Sequence, residues 1–234
     1  MGFFDRITSY FRSDPEFDLA SLGDELAYRI DWTPLVGGGA NFTTHRLVKS
    51  PGLSRNQVEV KTTLWAYIFG GFFILFAFLM FLSALGDEVT WEVNGVEGPL
   101  PSWWPLVPLV FSLIGCAIIW RFKTKEGKFD YGTYLFTRGS KCFRLDEVRA
   151  IQLISERVTT TKGGSYRSFE LNLVFNSGDR VNIVDHGSLI ALRQDARMLS
   201  EFLRVPIWDV IGSRIGSVIA HSKLSILDQN LSSF

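Results

Sequence analysis

The stretch of sequence that decides the fold is Leu64 to Leu85, LWAYIFGGFFILFAFLMFLSAL, in which 22 consecutive residues carry no charge. As an α-helix this stretch would be about 33 Å long, enough to cross a hydrocarbon core of roughly 30 Å. Helices in soluble cores seldom stay uncharged over such a length, so we expect a membrane span rather than a buried core helix. Because the stretch begins more than 60 residues into the chain, a cleaved signal peptide is not expected.

A second uncharged stretch runs from Trp103 to Trp120, reads WWPLVPLVFSLIGCAIIW and is 18 residues long. Pro105 and Pro108 lie in its first turns, where a missing backbone N–H is best tolerated. Tryptophans at both ends are typical of residues at a membrane interface. The two stretches predict a transmembrane hairpin over residues 63–121, with spans at 64–85 and 103–120.

The charges that flank the hairpin predict its orientation. The connection between the spans has only acidic charges, at Asp87, Glu88, Glu92 and Glu97. Basic residues flank the spans on the other side, at Arg46, Lys49, Arg55, Lys61, Arg121, Lys123, Lys125 and Lys128. Because basic loops remain in the cytoplasm, we expect both termini to be cytoplasmic and the acidic connection to be outside.

The composition excludes several classes of protein. The chain has 234 residues with 24 basic and 24 acidic side chains, and 47% of its residues are hydrophobic. A disordered chain would be less hydrophobic and more highly charged. A nucleic-acid-binding protein should have a basic excess, so no nucleic-acid partner is expected. Two cysteines cannot form a disulfide framework.

The region after the hairpin has the pattern of short antiparallel strands followed by one helix. Strands are predicted at 131–137, 140–144, 148–161, 167–176 and 180–184. In the strand at 167–176 the apolar side chains alternate with Ser168, Glu170, Asn172 and Val174, which predicts a half-buried strand with these four facing outward. Ser188 is the expected N-cap of an amphipathic helix over 189–203, which ends at Val205-Pro206. The fold class is therefore α+β.

The segment Arg144-Leu-Asp-Glu-Val-Arg-Ala-Ile-Gln-Leu resembles the R-x-P-L-x-x-I-x-x-V type segment of bacterial pleckstrin-homology-like domains, which often follow a pair of membrane helices. The resemblance covers roughly Lys125 to Asp209 together with the hairpin. It implies a cytoplasmic antiparallel β domain over residues 122–210, capped by its carboxy-terminal helix, in a protein of the bacterial inner (plasma) membrane. This fold serves lipid binders, peptide binders and scaffolds, so it does not determine function.

The amino-terminal part divides into two predicted segments. Residues 1–20 form an amphipathic helix and a linker, and the helix lies either on the inner leaflet or against the soluble domain. Residues 21–62 contain two strand-like runs, 41–48 and 57–60, which are candidates to join the β domain. The glycines at 37–39 lack the Lys-Ser/Thr ending of a phosphate loop and predict a flexible turn. The fate of the tail, 211–234, is left open.

The sequence offers no catalytic or metal site that we would predict. His45, His186 and His221 have no zinc-like spacing with each other or with the two cysteines. The pair Asp185-His186 lies at a strand-to-helix turn, so we expect Asp185 to cap the turn and His186 to be partly exposed. No cofactor is expected.

Binding surfaces are the remaining candidates. A basic collar at the inner face is a candidate lipid-binding site, formed by Arg121, Lys123, Lys125 and Lys128. A second basic group lies near the strand loop, at Arg149, Arg157, Lys162 and Arg167. The first span has a candidate surface for a partner in the bilayer, formed by Phe69, Gly70, Gly71, Phe72, Phe73 and Phe76.

Three functional hypotheses follow. The preferred one is a non-catalytic adaptor or accessory subunit of a membrane assembly, which binds another integral membrane protein or a second copy of itself as well as membrane lipids. The alternative is a module that senses anionic lipids through the basic collar. The third is a membrane enzyme of unrecognised type, built around Asp185 and His186.

Overall fold

The structure, a computed structural model, describes residues 16–50, 56–85, 90–93, 96–99, 101–160, 163–212 and 214–215. It is an α+β fold with two main sheets and two long apolar helices. The predicted amino-terminal helix, Lys162 and most of the tail lie outside the described residues.

The helices are α1 (Leu26–Arg29), α2 (Leu64–Ala84), α3 (Leu106–Lys123) and α4 (Leu189–Leu203), with 3-10 turns at Leu19–Leu22 and Leu145–Glu147. The strands are β1 (Glu16–Phe17), β2 (His45–Lys49), β3 (Gln57–Thr62), β4 (Thr90–Val93), β5 (Val96–Pro99), β6 (Gly127–Asp130), β7 (Leu135–Arg138), β8 (Lys141–Arg144), β9 (Val148–Thr159), β10 (Ser165–Phe175), β11 (Arg180–His186), β12 (Ile207–Asp209) and β13 (Arg214–Ile215).

The chain forms two compact units. One unit is continuous and contains residues 42–145, whereas the other combines the chain before Phe42 with the chain after Leu145. The range 21–62, whose place was left open by the sequence, is therefore divided. Its first part belongs to the discontinuous unit, and β2 and β3 belong to the continuous one. The range 122–210, expected as one β domain, is divided in the same way.

The continuous unit contains a five-stranded antiparallel sheet with the order β2-β3-β6-β7-β8. Strand β6 had not been predicted, because the strand pattern seemed to begin only at Tyr131. Alternation places Val58, Val60, Phe129 and Phe136 on one face, where each is almost completely buried. The rings of Phe129 and Phe136 stack with centroids 4.3 Å apart.

Helices α2 and α3 form a hairpin inserted between β3 and β6, which are hydrogen-bonded neighbours. Both apolar stretches are thus confirmed as helices, with α3 beginning and ending three residues later than the predicted span. The helices approach closely at Gly70 and Gly115, where a Cβ on Gly115 would lie 2.7 Å from the Gly70 carbonyl oxygen. Small residues make this contact, and Ala66 and Ala77 are buried along it. The connection contains the antiparallel pair β4 and β5.

The discontinuous unit contains a four-stranded sheet with the order β11-β10-β9-β12, in which β12 pairs with β9 in parallel. The predicted helix over 189–203 is confirmed as α4, and the Ser188 hydroxyl accepts a hydrogen bond from the Ala191 amide at 3.4 Å. Helix α4 packs against β9, β10 and β12. Strands β1 and β13 form a separate parallel pair.

Strand β10 differs from its prediction, because both of its faces are buried from Ser168 to Phe175. On one face of the sheet Val174 lies beside Ala150 and Trp208. Ala27 and Ile30, from the amino-terminal part of the chain, pack on these three residues. The outward orientation expected for Ser168, Glu170 and Asn172 is therefore wrong. The alternating pattern was read correctly, but nothing in it signals that a distant segment covers the second face.

Candidate functional site

The predicted basic collar is interspersed with carboxylates. Lys123 lies 4.0 Å from Glu126, and Lys128 lies 3.7 Å from Asp130. Arg121 is exposed in the last turn of α3, and Lys125 lies just beyond that helix. Because acidic partners accompany two of the four cations, the collar presents less positive potential than its sequence suggested.

The same region joins the helical hairpin to the five-stranded sheet. One residue, Thr63, separates β3 from α2, and its hydroxyl donates to the Thr43 carbonyl at 2.6 Å. His45, which is 1% exposed, places its Nε2 2.9 Å from the Phe122 carbonyl at the end of α3. These contacts connect the start of α2 and the end of α3 to β2 and to the residues just before it, so the hairpin continues directly from the sheet. We call this region the joint.

Two titratable groups at this joint have altered pKa values. Burial lowers the pKa of His45, and the positive charges of Lys125 and Arg138 act in the same direction. Burial alone would raise the pKa of Glu126, but hydrogen bonds from Thr62 and the charge of Lys123 outweigh it and lower that pKa. The joint therefore favours a neutral imidazole and an ionised carboxylate.

The six residues predicted to meet a partner in the bilayer are divided between two surfaces. Gly70 lies in the contact between α2 and α3, and Phe73 and Phe76 pack on Phe111 of α3. A Cβ placed on Gly71 would have no atom within 4 Å. Phe69 is 48% exposed, Phe72 is 63% exposed, and Phe76 keeps 41% of its surface exposed. The outward surface of α2 thus combines aromatic rings with aliphatic side chains, and one of the two glycines serves contacts within the chain.

Asp185 and His186 lie in β11 and are buried, so the expected exposure of His186 is wrong. The Ser168 hydroxyl donates to Asp185 Oδ1 at 2.8 Å, and the Ser188 amide donates to His186 Nδ1 at 3.2 Å. The close approach of Gly187 to the backbone of Asn41 explains this enclosure, since a Cβ on Gly187 would overlap Asn41. These side chains hold the turn before α4 together.

The second predicted basic group is only partly brought together. Arg149 forms an ion pair with Asp24 at 2.6 Å, and hydrogen bonds from Arg149 and Leu26 overcome burial to lower the pKa of Asp24. Arg157 and Arg167 are directly opposite each other on β9 and β10. Across the described parts of the chain, no group of three or more His, Cys, Asp or Glu is placed to hold a metal ion.

Sequence reasoning missed a segment that crosses the buried polar face of the four-stranded sheet. We call residues 31–39 the strap. The strap contacts the sheet through its own main chain. The Leu35 and Val36 amides donate to the two carboxylate oxygens of Glu170 at 2.9 and 2.6 Å, and the Gly38 amide donates to Glu156 at 3.0 Å.

The carbonyl groups of the strap are recognised in the same way. Gln152 donates to the Asp31 carbonyl at 3.0 Å, and Arg180 donates to the Thr33 carbonyl at 2.9 Å. The Tyr166 hydroxyl donates to the Gly39 carbonyl at 2.8 Å. We call Gln152, Glu156, Tyr166, Glu170 and Arg180 the strap-binding face.

Gly39 fits where no other residue could. It is buried, and a Cβ there would overlap Asp185 and the Ser168 hydroxyl. The glycine run at 37–39, predicted to be a flexible turn, therefore includes a position of close packing. The only sequence signal for this site was the coincidence of three glycines with a strand whose alternate residues are polar but mostly uncharged.

A comparison of the chain with protein-family models finds no match, and a comparison with curated proteins finds no similar sequence.

Proposed function

We propose that this protein is a non-catalytic adaptor of the bacterial inner membrane, anchored by the hairpin of α2 and α3, with both termini in the cytoplasm. The observation that carries the proposal is the exposure of that hairpin. Only 17% of the apolar window of α2 and 11% of that of α3 are buried. The core helices of a soluble protein would be mostly buried, so these surfaces need lipid or a membrane partner to cover them.

The ends of the hairpin also support this placement. Trp65 near the start of α2 and Trp120 near the end of α3 are each 69% exposed, and antiparallel packing brings them to the same end of the hairpin. Arg121 and Lys123 lie in the last turn of α3, at that end. Tryptophans and basic side chains at one level are typical of a cytoplasmic membrane interface.

An adaptor role is favoured by the joint and by the fold. Because strands β3 and β6 lead into the helices within a few residues, the five-stranded sheet is held next to the end of the hairpin. The soluble part contains a five-stranded antiparallel sheet and a mixed four-stranded sheet packed on an amphipathic helix, and the pleckstrin-homology-like architecture stays a prediction. Asp185 and His186 are buried against the chain itself, which argues against the enzyme hypothesis. The paired charges of the collar make lipid sensing the weaker alternative.

The two native cysteines test the membrane placement, since Cys116 lies in α3, Cys142 lies in β8, and both are exposed. A membrane-impermeant maleimide should label Cys142 in inverted vesicles and not in intact cells, and it should label Cys116 in neither. Labelling of Cys142 from outside would contradict the topology. Labelling of Cys116 without detergent would contradict the span.

Photo-crosslinking in native membranes tests the adaptor role. A photoreactive phenylalanine analogue at Phe72, which faces outward, should give adducts with a distinct membrane protein or a second copy of the chain. The matched control is the same analogue at Phe73, which contacts Phe111 of the same chain and should give far fewer adducts. If Phe72 crosslinks only to lipid, and the purified protein carries no associated protein, the adaptor proposal is wrong.

A further inference from the structure

One end of the five-stranded sheet lies close to the ends of the helical hairpin. Strand β3 leads into α2, and β6 follows α3, so both strands reach the joint at this end. Because the sheet is antiparallel, β7 ends and β8 begins at the same end. Gly127, the first residue of β6, pairs with Val60, which is about 10 Å along the strand from Thr63 at the start of α2. We call this the helix-proximal end of the sheet.

Two cations are paired across the last strands at the helix-proximal end. Arg138 and Lys141 are register partners that flank the turn Gly139-Ser140, so they share one level and one face of the sheet. Like charges directly opposite each other are unfavourable. The Arg138 guanidinium carbon lies 5.2 Å from the centre of the Phe136 ring, and Lys141 is exposed. An anion beside both cations would offset their repulsion.

A third cation, Lys125, completes this group, and we call Lys125, Arg138 and Lys141 the end cluster. The charges of Lys125 and Arg138 both act on the pKa of His45, so both lie near the end of α3 that His45 contacts. Burial lowers the pKa of Arg138 to about 10, which leaves it charged at neutral pH. The nearby carboxylate of Glu126 is 4.0 Å from Lys123, a cation outside the end cluster.

The two ends of the sheet differ in charge at their turns. The turn between β6 and β7 at the opposite end, Tyr131–Tyr134, has no charged side chain, whereas the turn at the helix-proximal end is flanked by two cations. In the proposed membrane placement, only the helix-proximal end comes near the headgroup layer, which begins where the hydrocarbon core ends. Lipid phosphates are the fixed anions of that layer, and clustered Lys and Arg near the surface attract them.

We propose that the end cluster binds the phosphate groups of anionic lipids, so that the helix-proximal end of the sheet rests on the cytoplasmic surface of the membrane. The inference rests on the membrane placement proposed above. It extends lipid contact from the helix ends to the turn between β7 and β8, which the predicted collar does not include. This contact would hold the sheet in one orientation relative to the bilayer.

Hydrogen exchange of the full chain in nanodiscs tests the inference. One set of discs contains phosphatidylcholine alone, and the other contains equal parts of phosphatidylcholine and phosphatidylglycerol. The amides of Gly139 and Ser140 should exchange at least threefold more slowly in the anionic discs. High salt should abolish the difference, because it screens exposed charges. The amides of the opposite turn, Tyr131–Tyr134, should exchange equally in both discs and serve as the internal reference.

Two lysine variants make the test specific. Lys141→Gln should remove most of the protection, because each cation near an anionic surface favours the contact by about fivefold. Lys49→Gln is the matched control and should keep the protection, since Lys49 is exposed on the other edge strand, at the opposite end of the sheet. Unchanged exchange of the reference amides establishes that each variant is folded.

Equal protection in the two variants, or no difference between the two kinds of disc, would overturn the inference. Protection by inorganic phosphate in discs of phosphatidylcholine alone would identify a site for a free anion and would overturn it as well. Either failure would leave the labelling result at Cys116 unaffected. Labelling of Cys116 without detergent would overturn the membrane placement itself, and the inference with it.

Discussion

The contact between α2 and α3 gives a prediction with a built-in control, because two glycines of the hairpin differ in their surroundings. Gly115 faces α2, and a Cβ there would lie 2.7 Å from the Gly70 carbonyl oxygen and 2.7 Å from Ile74 Cγ1. Gly71 faces away, and a Cβ there meets nothing within 4 Å. We predict that Gly115→Ala destabilises the hairpin, whereas Gly71→Ala does not.

The expected magnitudes follow from two opposing effects. Replacing glycine with alanine inside a helix favours the helix by about 1 kcal/mol, and this gain applies at both positions. At Gly115 the new methyl group collides with backbone, which cannot rotate away, and overpacking of this kind costs about 1–3 kcal/mol. Because the gain in helix propensity is the same for both variants, only the cost of overpacking separates them. The free energy of unfolding of Gly115→Ala should therefore be lower than that of Gly71→Ala by about 1–3 kcal/mol.

The assay is reversible unfolding of the full chain in mixed micelles, followed by circular dichroism, with both variants and the wild type measured under the same conditions. Gly71→Ala should be as stable as the wild type or more stable. Equal stabilities of the two variants would refute the close approach of the helices at Gly70 and Gly115. A loss of stability in Gly71→Ala would instead show that this face of α2 is covered.

Three further predictions concern other parts of the chain. Burial lowers the pKa of His45 in the folded state, so the unfolded chain binds the proton first as the pH falls. The free energy of unfolding should therefore decrease below about pH 6.5. His45→Asn should flatten this pH dependence, and an unchanged slope would contradict the burial of the imidazole. Glu170→Gln should lower stability by about 2–3 kcal/mol and speed hydrogen exchange at the two strap amides it binds, and unchanged exchange there would exclude the described hydrogen bonds. Arg193→Ala removes an ion pair with Asp209 at 2.7 Å that is partly exposed, so thermal unfolding should show a loss of only about 0.2–1 kcal/mol, and a much larger loss would indicate a structural role beyond the pair.

The elements with the strongest local signals were predictable from sequence. The two apolar stretches became α2 and α3, and the amphipathic pattern after Ser188 became α4 at the expected bounds. In each case the signal is a continuous pattern longer than ten residues, so neighbouring residues reinforce one another. The three-residue shift of α3 has a local cause, because Pro105 takes the N-cap position and the first turn follows it.

The remaining features depend on contacts between residues far apart in the sequence. The polar side chains of β10 have the pattern of an exposed face, and only the arrival of the strap about 130 positions away buries them. Strand β6 has only four residues, so it carries little pattern of its own, and its pairing partner β3 is separated from it in sequence by the whole hairpin. Nothing in the sequence showed that position 39 requires a glycine, because the neighbours that exclude a Cβ, Asp185 and Ser168, are distant in sequence.

The insertion of the hairpin between paired strands determines the order in which the molecule can be made. A ribosome synthesises β3 before α2 and α3, and β6 only afterwards, so these strands cannot pair until the helices have turned back on themselves. The strap and its binding face are likewise separated by the whole hairpin in order of synthesis. In a chain inserted as proposed, the pairing of β3 with β6 would report that the hairpin has formed. A chain whose hairpin does not form would leave β3 and β6 as open strand edges, which are prone to pair with other chains.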